Sequence, residues 1–376
     1  MSLHSHSSCS RESLAFLPDF ARRIPVVADF VSRGSAAYAR RHGRPLDFAE
    51  WHWRPPVTPA AVVASERDHL QRRLGLDALV SLTDHDSLEA PHLLRSTGHD
   101  GVPLSLEWTV PFDRSVFHLG VHAVDPRQVD QLAVALAAYT DADGRTPPAA
   151  LADLLDWLCE CPETIVVLNH PYWDMTRVGQ QRHDSNLLSF LRAHRDRIHA
   201  LELNGYRTWT ENRRVLPLAE GFAIPLVGGG DRHGHAPNAI VNLTGATSLA
   251  EFARELRIDQ KTCCVLFPEY ADPFPARLLQ TASHVLKAER RDRQAPIRWD
   301  DRVFRINDGI EEAVSTMWNG PPLWLDAAVA VTRMMAAPPV AAVLGLWRTD
   351  GCETLEADCA PELEAIHPLA PDSAAA

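Results

Sequence analysis

Residues 224–234 read IPLVGGGDRHG: a short apolar run, three glycines, then Asp231, Arg232 and His233. An apolar run of this length bounded by glycine reads as a buried strand, so an acid and an imidazole stand at its carboxyl end. The same arrangement recurs upstream. Residues 78–83 (ALVSLT) lead into Asp84 and His85, and residues 103–107 (PLSLE) finish on Glu107. Residues 164–169 (TIVVLN) lead into His170, and residues 198–204 (IHALELN) finish on Asn204. Residues 115–123 (SVFHLGVHA) carry His118 within the run. Residues 2–7 carry His4 and His6, which a strand's period of two turns to one face.

Amphipathic stretches fill the gaps. Thr58 predicts a helix through residue 74 that closes at Gly75, and further helices are expected near 87–97, 127–140, 147–161, 184–195, 209–221 and 248–258. Seven strands alternating with helices imply an α/β fold with a parallel sheet, open or closed into a barrel. In a closed βα barrel the carboxyl ends of the strands meet at one mouth. Imidazoles and carboxylates gathered there form a nitrogen and oxygen ligand set suited to zinc, manganese or iron. Singly, each residue has a plainer reading. A lone buried histidine is usually a hydrogen-bonded core group, a His-x-His pair can be chance among 18 histidines, and Asp84 can cap a helix. Their recurrence on six of the seven strands, four of them at the carboxyl end, makes a shared metal site the reading.

Two segments break the rhythm. Residues 13–57 are rich in arginine and aromatics, end in Trp51-His52-Trp53-Arg54, and read as an inserted lid or rim. Residues 271–376 are irregular, with two Pro-Pro pairs and an alanine-rich finish, and read as a helical appendage with a frayed tail. The expected domains are therefore a barrel over 1–270 and an appendage over 271–376.

Composition sets the outer limits. The 376 residues are 45% hydrophobic and 23% charged, enough chain and apolar content to bury a core. The net charge of −12 disfavours stable nucleic-acid binding. The seven cysteines are odd in number and form no CxxC, so neither a disulfide framework nor a zinc knuckle is indicated. Residues 1–10 have no basic and apolar leader pattern, and the apolar stretch 327–347 is broken by Arg333 and Pro338-Pro339. A soluble, cytoplasmic protein is expected. Only Lys261 and Lys287 are lysine among 37 basic residues, the composition of a GC-rich bacterial genome.

The runs LHSHSS, SLTDHDSLEA, LSLEW with His118, NHP and GGGDRHG, in that order over roughly residues 1–265, resemble the PHP (polymerase and histidinol phosphatase) family. The resemblance implies a distorted TIM-like (β/α)7 barrel holding two or three divalent ions, often Mn2+, Zn2+ or Fe2+, and hydrolysis of phosphoesters. By motif, His4, His6, Glu107 and Asp231 would hold the first metal. Glu107 would bridge to a second completed by His118 and His170, and His85 and His233 would serve a third. One departure follows the His-x-His-Ser motif, where the family usually has Asp five residues after the second histidine or His at six. Here these positions are Arg11 and Glu12. Either Glu12 replaces that ligand, or the third site is weak and Arg11 faces the substrate. The rival amidohydrolase type often bridges its metals with a mid-barrel lysine, but both lysines here follow the last ligand motif.

On this reading the chain is a stand-alone phosphoesterase acting on a small phosphomonoester or nucleotide. Two ions about 3.5–4 Å apart would hold an attacking hydroxide and clamp the leaving oxygen. His233 or Asp84 would carry the proton. Arg232, Arg207 and Arg177 are the candidate cations for the phosphoryl group; as a strand neighbour of two ligands Arg232 can equally point away from the mouth, and Arg177 and Arg207 can be solvated surface charges. Tyr172, Trp173 and Asn204 stand beside ligand motifs and would shape the pocket, unless the two aromatics pack in the core, and the Trp51–Arg54 stretch either stacks on substrate or pins the insert. The alternatives are a metallohydrolase of an amide or ester bond and a non-catalytic metal-binding module.

Overall fold

The computed structural model describes residues 1–15, 25–289, 297–307, 310–317, 321 and 323–336. The frayed tail expected toward residue 376 lies outside the described residues. In chain order the strands are β1 (Glu12–Ser13), β2 (Trp51–Trp53), β3 (Leu106–Phe112), β4 (Ser115–His122), β5 (Ile165–Asn169) and β6 (Ala200–Asn204). β7 (Leu226–Gly229), β8 (Ile240–Asn242), β9 (Cys264–Leu266), β10 (Val303–Asn307) and β11 (Ile310–Ala313) follow.

The main sheet has the order β3-β4-β5-β6-β7. Its strands are the apolar runs of the sequence, and they are apolar throughout because both faces are covered. Val166 and Leu168 of β5 pack with Phe190, Leu155 and Trp108 on one side, while Ile165 and Val167 pack with Leu3, Phe252 and Leu256 on the other. The helices come where expected. Thr58 caps the helix Pro59–Leu74, which ends at Gly75 with φ 66°, and the helices Val129–Asp141, Pro148–Glu160, Gln180–His194, Trp209–Phe222 and Leu249–Arg257 lie close to their expected bounds.

The fold departs from an all-parallel barrel in two ways. First, β3 pairs antiparallel with β4 and β4 antiparallel with β5; only β5, β6 and β7 run parallel. The cause is connection length. Asp113 and Arg114 alone separate β3 from β4, and a parallel crossover needs roughly ten or more residues. Asp113 takes φ 48°, as tight hairpin loops require. β3 also continues five residues past Glu107, and Pro111 is tolerated there because β3 is the edge of the regular sheet.

Second, the expected strands at 2–7 and 78–83 form no continuous ladder. Isolated parallel bridges join Ser2 to Val80, Ser5 to Arg232 and His85 to Glu107. The described residues therefore show a mixed α/β fold with no closed barrel of regular strands. His4 explains the break, because its φ of 61° lies outside the extended region a ladder needs.

A second sheet has the order β1-β2-β10-β11, antiparallel throughout. It unites the segment read as an insert with the segment read as an appendage, which pattern alone had left as separate pieces. Among the described residues no helix is long and apolar enough to cross a membrane.

Candidate metal centre

The segments just described converge on one buried constellation. Glu107, fully buried at the start of β3, is its centre. Its Oε1 lies 3.1 Å from His170 Nε2 and 3.2 Å from His118 Nδ1. Its Oε2 lies 3.2 Å from His4 Nε2, 3.4 Å from His6 Nε2 and 3.2 Å from His85 Nδ1. Asp231 Oδ1 closes the other side at 3.3 Å from His6 Nε2 and 3.6 Å from His4 Nε2. Glu12 Oε2 stands 3.2 Å from His85 Nε2 and 3.1 Å from His233 Nε2, and its Oε1 3.4 Å from His6 Nδ1.

These atoms fall into four overlapping groups whose members lie within 4.8 Å of one another: His4/His6/Glu107, His4/His170/Asp231, His85/Glu107/His118 and His6/Glu12/His85/His233. All nine residues expected to gather at the site do so. The partition differs in detail, since His170 also groups with His4 and Asp231. Three histidines and a carboxylate with no second acid make the fourth group.

Two observations test whether metal ions fit. His4 Nε2, His6 Nε2, Glu107 Oε2 and His118 Nδ1 are buried without a hydrogen-bond partner. Orphaned buried donors and acceptors are costly, so four of them gathered around one carboxylate call for something between them. The spacing agrees. An ion held tetrahedrally at about 2.0–2.2 Å sets its ligand atoms roughly 3.3–3.6 Å apart, close to the separations of His4, His6 and Asp231. The residues fit divalent ions.

Electrostatics points the same way. Burial alone would lower the His4 pKa, but the charges of Glu107, Glu202 and Asp231 outweigh it and hold it well above the ordinary value. Burial likewise opposes charge on His85, yet Glu12 and Glu107 push it up to about 10. For His6 burial dominates and lowers it to about 4. Burial would raise the carboxyl pKa values of Glu107, Glu12 and Asp231, but the surrounding imidazoles hold all three below the usual range.

Sequence reading missed Glu202. Its Oε1 holds His4 Nδ1 at 2.5 Å, and its Oε2 accepts from the His170 backbone N–H and from Asn204 Nδ2, both at 2.8 Å. It orients two candidate ligands at once, the outer support that metal-binding histidines need. An acid inside the buried run ALELN was the available signal. Gly229 makes room for it, since a Cβ there would stand 1.8 Å from Glu202 Oε1. His4, His170 and Asp231 adopt φ values of 61°, 27° and 54°. Non-glycine residues held there cost on the order of 1–3 kcal/mol each and cluster at functional sites.

Several expected site residues are engaged elsewhere. Asp84 is fully buried and accepts from Ser7 N at 2.5 Å and Ser7 Oγ at 2.6 Å, bracing the turn after His6. Burial raises its pKa to about 7. Arg232 points away from the cluster: its Nη1 meets Glu66 Oε1 at 2.5 Å and Ser65 Oγ at 2.7 Å, and its Nη2 donates to Gly234 O. The buried carboxylate of Glu66, on the helix Pro59–Leu74, holds it there. Arg11 reaches outward to Glu311 at 2.9 Å with its side chain 60% exposed, and Arg177 donates to Ala15 O. Tyr172 lies against the core beneath the Arg214 guanidinium, 3.9 Å from its ring centroid.

Three others stay close. Asn204 Nδ2 reaches Asp231 Oδ2 at 3.3 Å. Trp173 stands edge-on to His170 with ring centroids 4.9 Å apart, and the Arg207 guanidinium stacks 3.7 Å above Trp173. Trp53 of β2 and Tyr206 approach His233 with centroids 5.8 and 5.9 Å away. A cavity of about 510 Å3 adjoins the cluster at His233, with walls that include His69, Tyr206, Arg277, Gln280 and Thr281.

Removing the Arg232 guanidinium leaves the Glu66 carboxylate buried without its counter-charge, with hydrogen bonds from Ser2 Oγ at 2.9 Å and the Asn238 backbone N–H at 3.1 Å. Arg232→Ala is expected to lower stability by about 3–5 kcal/mol in urea unfolding, with Arg232→Met/Glu66→Gln recovering part of it because the amide removes the buried charge and keeps an acceptor for Ser2 or Asn238. A loss under about 1 kcal/mol in the single variant would show that the pair is not the clamp its burial implies.

No family model and no curated protein matches this chain. Among solved structures it is similar to PsfC from Pseudomonas syringae, at 17% identity over 56% of this chain and 84% of that one, with a TM-score of 0.40. It is similar to an amidohydrolase from Chromobacterium violaceum with bound sulfate and no metal, at 18% identity over 48% and 83%, TM-score 0.32. It is also similar to a protein from Bifidobacterium adolescentis described as a metal-dependent phosphoesterase, at 18% identity over 54% and 91%, TM-score 0.30. These similarities are distant. What the residues themselves supply is a buried constellation of histidines and carboxylates that could bind metal ions.

Proposed function

We propose that the chain is a metal-dependent hydrolase of phosphoesters, with a small phosphomonoester or nucleotide as substrate. The observation that carries the metal-dependent part is Glu107, which turns one oxygen to His118 and His170 and the other to His4, His6 and His85. A carboxylate shared in this way is what a bridge between two cations requires. His4, His6, Glu107 and Asp231 would hold one ion, Glu107 with His118 and His170 a second, and His6, Glu12, His85 and His233 a third. When bound, such ions supply a Lewis acid and a nucleophilic water at neutral pH.

The chain's own groups then have separate tasks. Glu202 and Asn204 fix the first group from behind. Arg207, stacked on Trp173 beside His170, would be the cation that meets phosphoryl charge. His233 Nδ1 lies 2.8 Å from the Asp231 carbonyl oxygen, which orients its Nε2 toward Glu12. The cavity beside His233 has the size of a small-molecule site and would take the remainder of the substrate. The irregular ring formed when residues 2–6 and 79–85 bridge the edges of the sheet supports reading the fold as a distorted barrel of the PHP type, with 13–57 as its rim.

The test is phosphate release from sugar phosphates, nucleoside monophosphates and short oligonucleotides, using protein reconstituted with Mn2+, Zn2+ or Fe2+. Release is expected, and it should vanish in His6→Ala and Asp231→Ala. Protein that binds ions yet releases phosphate from nothing in the panel would sink the phosphoesterase reading and send the search to amides and esters.

A further inference from the structure

Glu12 is the least expected member of the constellation, and the structure shows what holds it there. It lies on β1, a strand of two residues that could not keep its place alone. Glu12 pairs with Trp53 of β2, and Trp53 pairs in turn with Val303 of β10. The Arg54 backbone N–H continues the ladder to Arg302 O at 2.9 Å. Side chains reinforce it: His52 stacks on Phe304 with centroids 5.3 Å apart, and the Arg54 guanidinium lies 4.9 Å above the same ring.

The next strand adds a charge clamp. Glu311 on β11 forms an ion pair with Arg11, Nη2 to Oε1, and accepts a hydrogen bond from Arg54 Nη2 on Oε2, each at 2.9 Å. Arg11 is the residue before Glu12, and Arg54 is the residue after Trp53. One carboxylate from the far end of the chain thus ties together the two segments that meet at Glu12. On the inner side of this sheet Glu12 faces His85 and His233, and the Trp53 ring faces His233.

We propose that the β10–β11 hairpin is the positioning element of the third cation site, with Glu311 its central positioning residue. The hairpin holds β2 and β1 in register, and Glu12 is thereby kept against His6, His85 and His233. The inference rests on the metal-dependent reading above and gives the C-terminal segment a task. Glu311 touches no candidate ligand atom, so its effect should be confined to one ion of the set.

The experiment counts ions and measures their affinities on the full chain by titrating ion-free protein with Mn2+ and Zn2+ against a competing chelator. Wild type, Glu12→Gln, Glu311→Gln, Glu311→Ala and Arg11→Ala are compared. Wild type is expected to take three ions and Glu12→Gln two. Glu311→Ala should weaken one ion by about 10–100-fold, the range for losing an outer support, and leave the other two unchanged. Glu311→Gln, which keeps hydrogen-bonding capacity, should weaken the same ion less. Arg11→Ala removes an exposed side chain, so it reads out the clamp even where Glu311→Ala does not fold. If Glu12→Gln drops an ion while Glu311→Ala and Arg11→Ala bind all three as wild type does, the positioning role is overturned. If Glu12→Gln keeps the full ion count, the third site is overturned. If wild type binds no ion at all, the metal-dependent reading itself fails.

Discussion

Glu107→Gln is expected to empty most of the cluster while leaving the fold in place. Asn169 Nδ2 donates to Glu107 Oε1 at 2.8 Å, so in the variant this position keeps a carbonyl oxygen. The amide nitrogen must then occupy the place of Oε2, where it faces His4 Nε2, His6 Nε2 and His85 Nδ1. A ligand becomes a donor, and the charge that would bridge two ions is gone. Losing outer support around a metal costs about 10–100-fold in affinity, so losing the shared ligand should cost more than ~100-fold for two ions. Metal ions contribute several kcal/mol of transition-state stabilisation, and phosphate release should accordingly fall by about 1000-fold or more. The side chain keeps its volume, so the circular dichroism of wild type is expected. A variant with its full ion complement and turnover within tenfold would remove Glu107 from the bridging role.

The second large effect is on pH. Without ions, His4 and His85 are held charged above neutrality by Glu107, Glu202, Asp231 and Glu12 acting against burial, with His85 at about 10. Ligating imidazoles must be neutral, so ion uptake releases these protons. Glu107, Glu12 and Asp231 already ionise below the usual range and release none near neutrality. Apparent affinity should therefore rise about tenfold per pH unit for each proton displaced, up to ~100-fold per unit where both are released. The sign for stability is opposite in the ion-free protein. A histidine whose folded pKa is raised stabilises fully below its unfolded value, near 6.5, and loses that contribution as pH climbs through the folded value. Ion-free protein should thus weaken between about pH 6.5 and 10, while ion-loaded protein should strengthen as its affinity rises. Chelator competition and thermal unfolding with and without Mn2+ measure both trends. Affinity independent of pH from 6 to 8.5 would show that these imidazoles are already neutral or are not ligands.

The residue types at the strand ends made the constellation legible before any coordinates. Each motif puts an imidazole or carboxylate just past an apolar run, and burial of that run carries the polar residue to a fixed depth. Glu12 was readable only as an alternative to Arg11, because a two-residue strand leaves no periodicity. The sequence left Asp84 and Arg232 open for one reason: proximity to a ligand in sequence says nothing about which side of the chain a group leaves. Ser7 and Glu66, distant in sequence, decided where those side chains point. Glu202 was passed over because a single acid in a buried run looks the same whether it supports a ligand or satisfies a local backbone group.

The sequence by itself determined the strands of the main sheet, most of the helices packed on them and the residue types brought to one site, because period and burial are local properties of the chain. It did not determine strand direction or sheet closure. The hairpin between β3 and β4 and the break at His4 depend on loop length and on backbone angles that the cluster imposes. Nor did it determine that β2 and β10, some 250 residues apart, would share a sheet. Short strands carry too little pattern to name their partners, so only the tertiary structure brings the C-terminal hairpin to the site.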